Sequence, residues 1–147
     1  MIIAQPIQLA LAPVFVLVAI GNILNILAQR LSRIVDRSRV LQDRHSETEG
    51  RAHDLVVIEI RVIARRIALI SRAILLLVVS GLTIGVTVVV LFLEEFLDLN
   101  LQQVAAVGFI VAIALLMMAL WLFMLETRTA TAALRIPEEY LETHREL

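Results

Sequence analysis

The sequence predicts an all-α integral membrane protein with three transmembrane helices, of which the first two extend past the membrane as a cytoplasmic helical hairpin. Of its 147 residues, 60% are hydrophobic and only 18% are charged, which is too apolar for a soluble domain of this size. Three runs without Asp, Glu, Lys or Arg are each long enough to cross the roughly 30 Å hydrocarbon core of a bilayer. We therefore interpret residues 1–147 as one membrane domain, divided into TM1 (7–28), the hairpin (29–72), TM2 (73–93), TM3 (104–125) and a cytoplasmic tail (126–147).

Helical periodicity continues through the end of TM1 into the arginine-rich segment. At 100° per residue, one face from Asn22 onward is apolar, and turn-forming residues appear only between His45 and Gly50. We expect two long helices, at about residues 7–45 and 52–93, each near 60 Å in length. With the turn centred near Thr48, residue i pairs with residue 97 minus i, and this register predicts a salt bridge between Asp36 and Arg61.

Charge is distributed unevenly between the connecting segments. The segment from Arg30 to Arg72 holds ten of the thirteen basic residues and six acids, whereas residues 94–103 hold three acids and no base. Basic connections usually lie in the cytoplasm, so the N-terminus is expected outside and the C-terminus inside. Four arginines near the predicted boundary are candidate lipid-headgroup contacts: Arg30, Arg65, Arg66 and Arg72.

TM3 carries a ridge of small residues that includes Gly108 and Ala112. Small residues allow close approach of helices in lipid, and we expect this ridge to face Gly81 and Gly85 of TM2. Beyond TM3, Pro137 is expected to begin a short terminal helix.

Strongly polar side chains are concentrated on the first helix. Asn22, Asn25 and Gln29 need hydrogen-bond partners in hydrocarbon, and the other two spans offer only Ser and Thr hydroxyls. One interpretation is a homo-oligomer in which copies of TM1 surround a hydrated, ion-permeable path. The candidate pore-lining or interhelical residues are Asn22, Asn25, Gln29, Arg33, Asp36 and Arg37. The alternative is that the asparagines join helices within one chain or lie where interfacial water reaches them.

The apolar surface of the second hairpin arm is a separate indication of self-association. Its apolar residues occupy most of the helix circumference, which is more than one partner helix can cover. The interspersed acids and missing aromatic platforms argue against nucleic-acid binding. His45 and His53 are weak metal candidates, and we expect no metal site, no cofactor and no enzymatic site.

The stretch from Ala12 to Leu41 resembles the start of the small bacterial membrane proteins grouped as domain of unknown function 2721. The resemblance is carried by Pro13, Phe15, Ala19, Ile20, Gly21, Leu24, Asn25, Arg30, Leu31, Arg33, Ile34, Asp36 and Arg37. It covers most of the chain and implies a protein with three spans, but it implies no activity.

Two functions fit these features. The favoured hypothesis is a homo-oligomeric ion-permeable pore lined by TM1, with the protein itself, membrane lipid and ions as partners. The alternative is a non-conducting scaffold that binds a partner through its arginine-rich hairpin.

Overall fold

The computed structural model describes residues 4–134, including all of their side chains except that of Pro6. It contains three α-helices: α1 (Ala4–Glu47), α2 (Arg51–Leu97) and α3 (Gln102–Ala133). At 1.5 Å per residue, α1 and α2 are about 66 and 70 Å long. Each of the three helices is long and apolar enough to cross a membrane. The predicted all-α class and the three apolar helices are confirmed.

The helices run a few residues further than the sequence pattern predicts. The turn between α1 and α2 is limited to residues 48–50, where Gly50 has a φ of 68°, a left-handed conformation that glycine adopts without strain. α3 continues beyond residue 125 to Ala133, so the predicted tail begins as helix. The terminal helix expected from Pro137 lies outside the described residues.

α2 is the central helix and packs along both α1 and α3, which have little contact with each other. Its seam with α1 is apolar and repeats every seven residues, the spacing of left-handed coiled coils. The contacts of Arg37 with Glu59 and of His45 with His53 set a register within one residue of the predicted one. The buried residues of this seam include Ile20, Leu27, Ile34 and Leu41 on α1 and Ile63, Ile70, Leu77 and Ile84 on α2.

The seam between α2 and α3 is built from small residues at the same seven-residue spacing. Ser80 donates a hydrogen bond of 2.7 Å from Oγ to the carbonyl oxygen of Ala112, deep in the interface. At Gly108, an added Cβ would lie 2.6 Å from Thr87 Oγ1, which shows how closely the two backbones approach. The repeating positions are Arg66, Ala73, Ser80 and Thr87 on α2 and Ala105, Ala112, Ala119 and Glu126 on α3.

Gly81 and Gly85 do not contact α3, so the prediction that they face Gly108 and Ala112 is wrong. An added Cβ at Gly81 would meet Leu17 and Ile20 of α1, and at Gly85 it would meet nothing within 4 Å. Gly81 follows Ser80 by one residue and is therefore turned about 100° away from α3. Gly108 and Ala112 face Thr87 and Ser80 instead.

We predict that Gly108→Ala lowers the thermal stability of the detergent-solubilised protein, whereas Gly85→Ala does not. The new methyl group displaces the Thr87 hydroxyl, and overpacking of this kind costs about 1–3 kcal/mol. Unfolding followed by circular dichroism measures both variants. Adding Thr87→Ala to Gly108→Ala removes the overlapping oxygen and should restore stability. Equal melting temperatures for the two glycine variants would contradict the close approach.

Candidate functional site

A buried carboxylate joins all three helices at one level of the structure. Glu126 of α3 has a fully buried side chain, and its Oε1 accepts a 2.9 Å hydrogen bond from Nε of Arg66 on α2. Its Oε2 lies 2.9 Å from Nε of Arg30 on α1, close enough for an ion pair, although the N–H is not aligned for a hydrogen bond. We call Arg30, Arg66 and Glu126 the ion triad.

The packing registers explain why these three residues meet. The α1–α2 register places Arg30 and Arg66 at the same level, just beyond the apolar layer of Leu27 and Ile70. On α3, Glu126 follows Ala119 by seven residues and so continues the stripe that faces α2. The Arg30 guanidinium also lies 5.3 Å from the ring centroid of Phe123, a cation–π contact that adds to its hold on α3.

The ion triad leaves one uncompensated positive charge. Its two arginines would repel each other without Glu126, and their side chains remain 32% and 21% exposed. The carboxylate has no exposed surface at all. Such a buried charge is favourable only while it is paired, so Glu126 requires both the α1 and α2 arginines at this level.

The sequence prediction ends TM3 at Leu125 and therefore does not include Glu126 in the candidate site. A charge directly after an apolar run is usually solvated, so the sequence assigns this residue to the tail. The seven-residue repeat of Ala105, Ala112 and Ala119 extends to Glu126 and was the signal that could have identified it. Arg30 and Arg66, predicted as headgroup contacts, are engaged with this carboxylate.

The polar side chains of α1 are exposed on the outer surface of the three-helix structure. Asn22, Asn25 and Gln29 all lie on its outer surface, and Gln29 Nε2 donates a long 3.4 Å hydrogen bond to Asn25 Oδ1. Arg33 and Asp36 continue the same face toward the hairpin and are also exposed. We call these five residues the polar stripe.

The predicted salt bridge between Asp36 and Arg61 is not among the ion pairs of residues 4–134 and is replaced by its neighbour. Arg37 donates two hydrogen bonds to Glu59 Oε1, of 3.0 Å from Nε and 2.8 Å from Nη2. The register itself agrees with the prediction, because these two contacts fall one residue to either side of it. Asp36 and Arg61 do not meet because each lies about 160° around its helix from a buried seam residue, Ile34 or Ile63, and so points away from the partner helix. Both partners are nearly half exposed, so this pair contributes little to stability.

The remaining candidates lie near the turn or on the outer surface. The rings of His45 and His53 contact each other at a tilt of 55° with centroids 4.5 Å apart, and His53 Nδ1 is buried without a hydrogen-bond partner. Within residues 4–134, no three His, Cys, Asp or Glu side chains are grouped to hold a metal ion. Arg65 and Arg72 are exposed on α2.

We predict that Glu126→Gln lowers the free energy of unfolding by about 3 kcal/mol, because it leaves two adjacent arginines without a counter-charge. Arg37→Gln breaks the exposed pair with Glu59 and should cost less than about 1 kcal/mol. Denaturant unfolding in detergent measures both. Combining Glu126→Gln with Arg66→Gln should recover part of the loss, since one cation is removed. If Glu126→Gln and Arg66→Gln instead had additive effects on the free energy of unfolding, the result would contradict the ion triad.

Comparison with known proteins gives a family for most of the chain. Neither the curated proteins nor the solved structures include a significant match. Residues 10–136 match the model of a family described as "Protein of unknown function (DUF2721)". The match spans the three helices, the polar stripe and the ion triad together. The chain therefore belongs to the DUF2721 family.

Proposed function

We propose that this protein is a homo-oligomeric, non-catalytic membrane protein that forms an ion-permeable pore lined by α1. The observation that carries the proposal is the exposure of Asn22, Asn25 and Gln29 on a helix whose opposite face is packed against α2. Polar side chains on the outside of an apolar helix require a partner that the single chain does not provide.

The polar stripe is straight enough to face a common axis. Asn22, Gln29 and Asp36 recur every seven residues, and Asn25 and Arg33 lie beside them, so that all five fall within about 80° of the helix circumference. The buried stripe that contains Leu27 lies on roughly the opposite side of α1. Copies of α1 placed around an axis would therefore direct their stripes inward and their apolar seams toward α2.

The cost of leaving carboxamides in hydrocarbon supports self-association. The hydrogen bond between Gln29 and Asn25 satisfies one donor and one acceptor, and each amide carries more. A second copy or a column of water would supply the remaining partners. Water along the stripe is the condition for conduction.

The charge distribution supports an orientation for this pore. We place the arginine-rich hairpin in the cytoplasm and the N-terminus outside, in a bacterial inner membrane, because basic connections are retained inside. Arg33, Asp36 and Arg37 then stand at the cytoplasmic mouth. Arg65 and Arg72, which are exposed at the outside of α2, are placed among lipid headgroups.

A non-conducting scaffold is the second candidate, and one observation favours it. Leu55 and Ile58 are 62% and 57% exposed on the hairpin arm of α2, beyond the level of the ion triad. A cytoplasmic partner would cover these side chains, as would a second copy of the hairpin.

We predict that Asn22→Cys forms covalent dimers when membranes are treated with an oxidant. The natural sequence contains no cysteine, so the new thiol has no competitor within the chain. Leu75→Cys is the matched control, because Leu75 is 63% exposed and lies beside Asn22 in the helix register, but on α2. Dimers from Leu75→Cys alone, seen on a non-reducing gel, would place the contact on α2 and contradict an axis lined by α1.

We also predict that the wild-type protein carries ions across liposome membranes and that Asn25→Leu abolishes this flux while the oligomer stays intact. Leucine removes the polar group that holds water along the axis. Thr83→Val is the control, because the Thr83 hydroxyl bonds within its own helix. Absence of flux from the wild type under every voltage and ion gradient would reject the pore and leave the scaffold as the proposal.

A further inference from the structure

We propose that the groove beside the ion triad is a binding site for a phosphate group. The groove has a volume of about 320 Å³ and lies between α1 and α2. Small-ligand sites in proteins begin near about 300 Å³, so the groove is large enough for a small anion. It is lined by Ile26, Gln29, Arg30, Arg33, Ile34 and Arg66.

The electrostatics of the groove favour an anion. Three arginines line it and no acidic residue does, because the carboxylate of Glu126 is fully buried behind Arg30 and Arg66. The nearest ion pair along α1 joins Arg37 to Glu59, and neither of these side chains lines the groove. The groove therefore carries an unbalanced positive charge.

The ion triad also fixes the guanidinium groups in place. Arg30 and Arg66 meet Glu126 through their Nε atoms, and within residues 4–134 their terminal nitrogens make no other side-chain hydrogen bond. Arg33 makes no ion pair in the same part of the chain. A planar guanidinium presents two parallel N–H groups to phosphate oxygens, and one that is already oriented loses less freedom on binding.

The position of the groove admits two sources of phosphate. On one side Ile26 is 55% exposed and continues the apolar surface of α1, where an acyl chain would pack if the ligand is an anionic phospholipid. Basic pockets between transmembrane helices bind such headgroups. A free phosphate would use the same arginines from the aqueous side.

The test uses delipidated full-length protein in neutral detergent, so that it does not depend on ion flux or on the proposed pore. One arm adds phosphatidylglycerol, with phosphatidylcholine as comparison, and counts bound lipid by native mass spectrometry. The other adds inorganic phosphate, with chloride at equal ionic strength as comparison, and follows the thermal shift.

Arg33→Gln is the informative variant because Arg33 lines the groove without holding the ion triad together. We expect it to weaken binding at least about tenfold, as loss of a charge-assisted hydrogen bond does. Arg61→Gln is the matched control, with the same charge change at an exposed position of α2 outside the groove, and should change binding less than about twofold.

The pattern of responses identifies the source or rejects the site. If binding depends on Arg33 only in the lipid arm, the ligand is a lipid headgroup. If it depends on Arg33 only in the phosphate arm, the ligand is free phosphate. Dependence in both arms shows that the site accepts either ligand. Equal losses of binding from Arg33→Gln and Arg61→Gln would show that only general surface charge matters and would overturn the proposal. Absence of binding in both arms would overturn it as well.

Discussion

The arrangement of the three helices depends on the buried carboxylate of Glu126. α1 and α3 have little contact with each other, and at this level one acid from α3 meets an arginine from each of the other helices. Because an unpaired charge in this position is costly, sliding or rotating any one helix is opposed by the other two. The ion triad thus fixes the relative heights of helices whose apolar and small-residue seams would otherwise accept a shift of one repeat.

α2 differs from its neighbours because it carries two seams. One side presents large apolar residues to α1, and the other presents small residues and the Ser80 hydroxyl to α3. α1 has a single seam, so the rest of its circumference remains uncovered in one chain. That difference explains why the polar stripe can lie outside without disturbing the fold, and why its burial requires something beyond the single chain.

Periodicity in the sequence was sufficient to predict the helices and their antiparallel register, because apolar spacing records which face is buried. It was insufficient for the side-chain pairs. The register agrees with the predicted one, yet Asp36 and Arg61 point away from the seam, and Arg37 pairs with Glu59 instead. The two glycines of α2 failed as markers of the α3 seam because close approach there uses Ser80 and Thr87. Glu126 was missed since composition alone marks a charge after an apolar run as solvated, and only the alanine repeat shows that it points inward.

The unbroken seven-residue repeat along α1 and α2 also limits how the hairpin can change in length. Deleting one residue between Arg30 and the turn would rotate the outer part of that arm by about 100° and move Leu41 out of its seam. A deletion preserves the packing only when both arms lose a whole repeat together. The distance from the ion triad to the tip is therefore restricted to steps of about 10 Å, and the two arms are constrained to evolve as a pair.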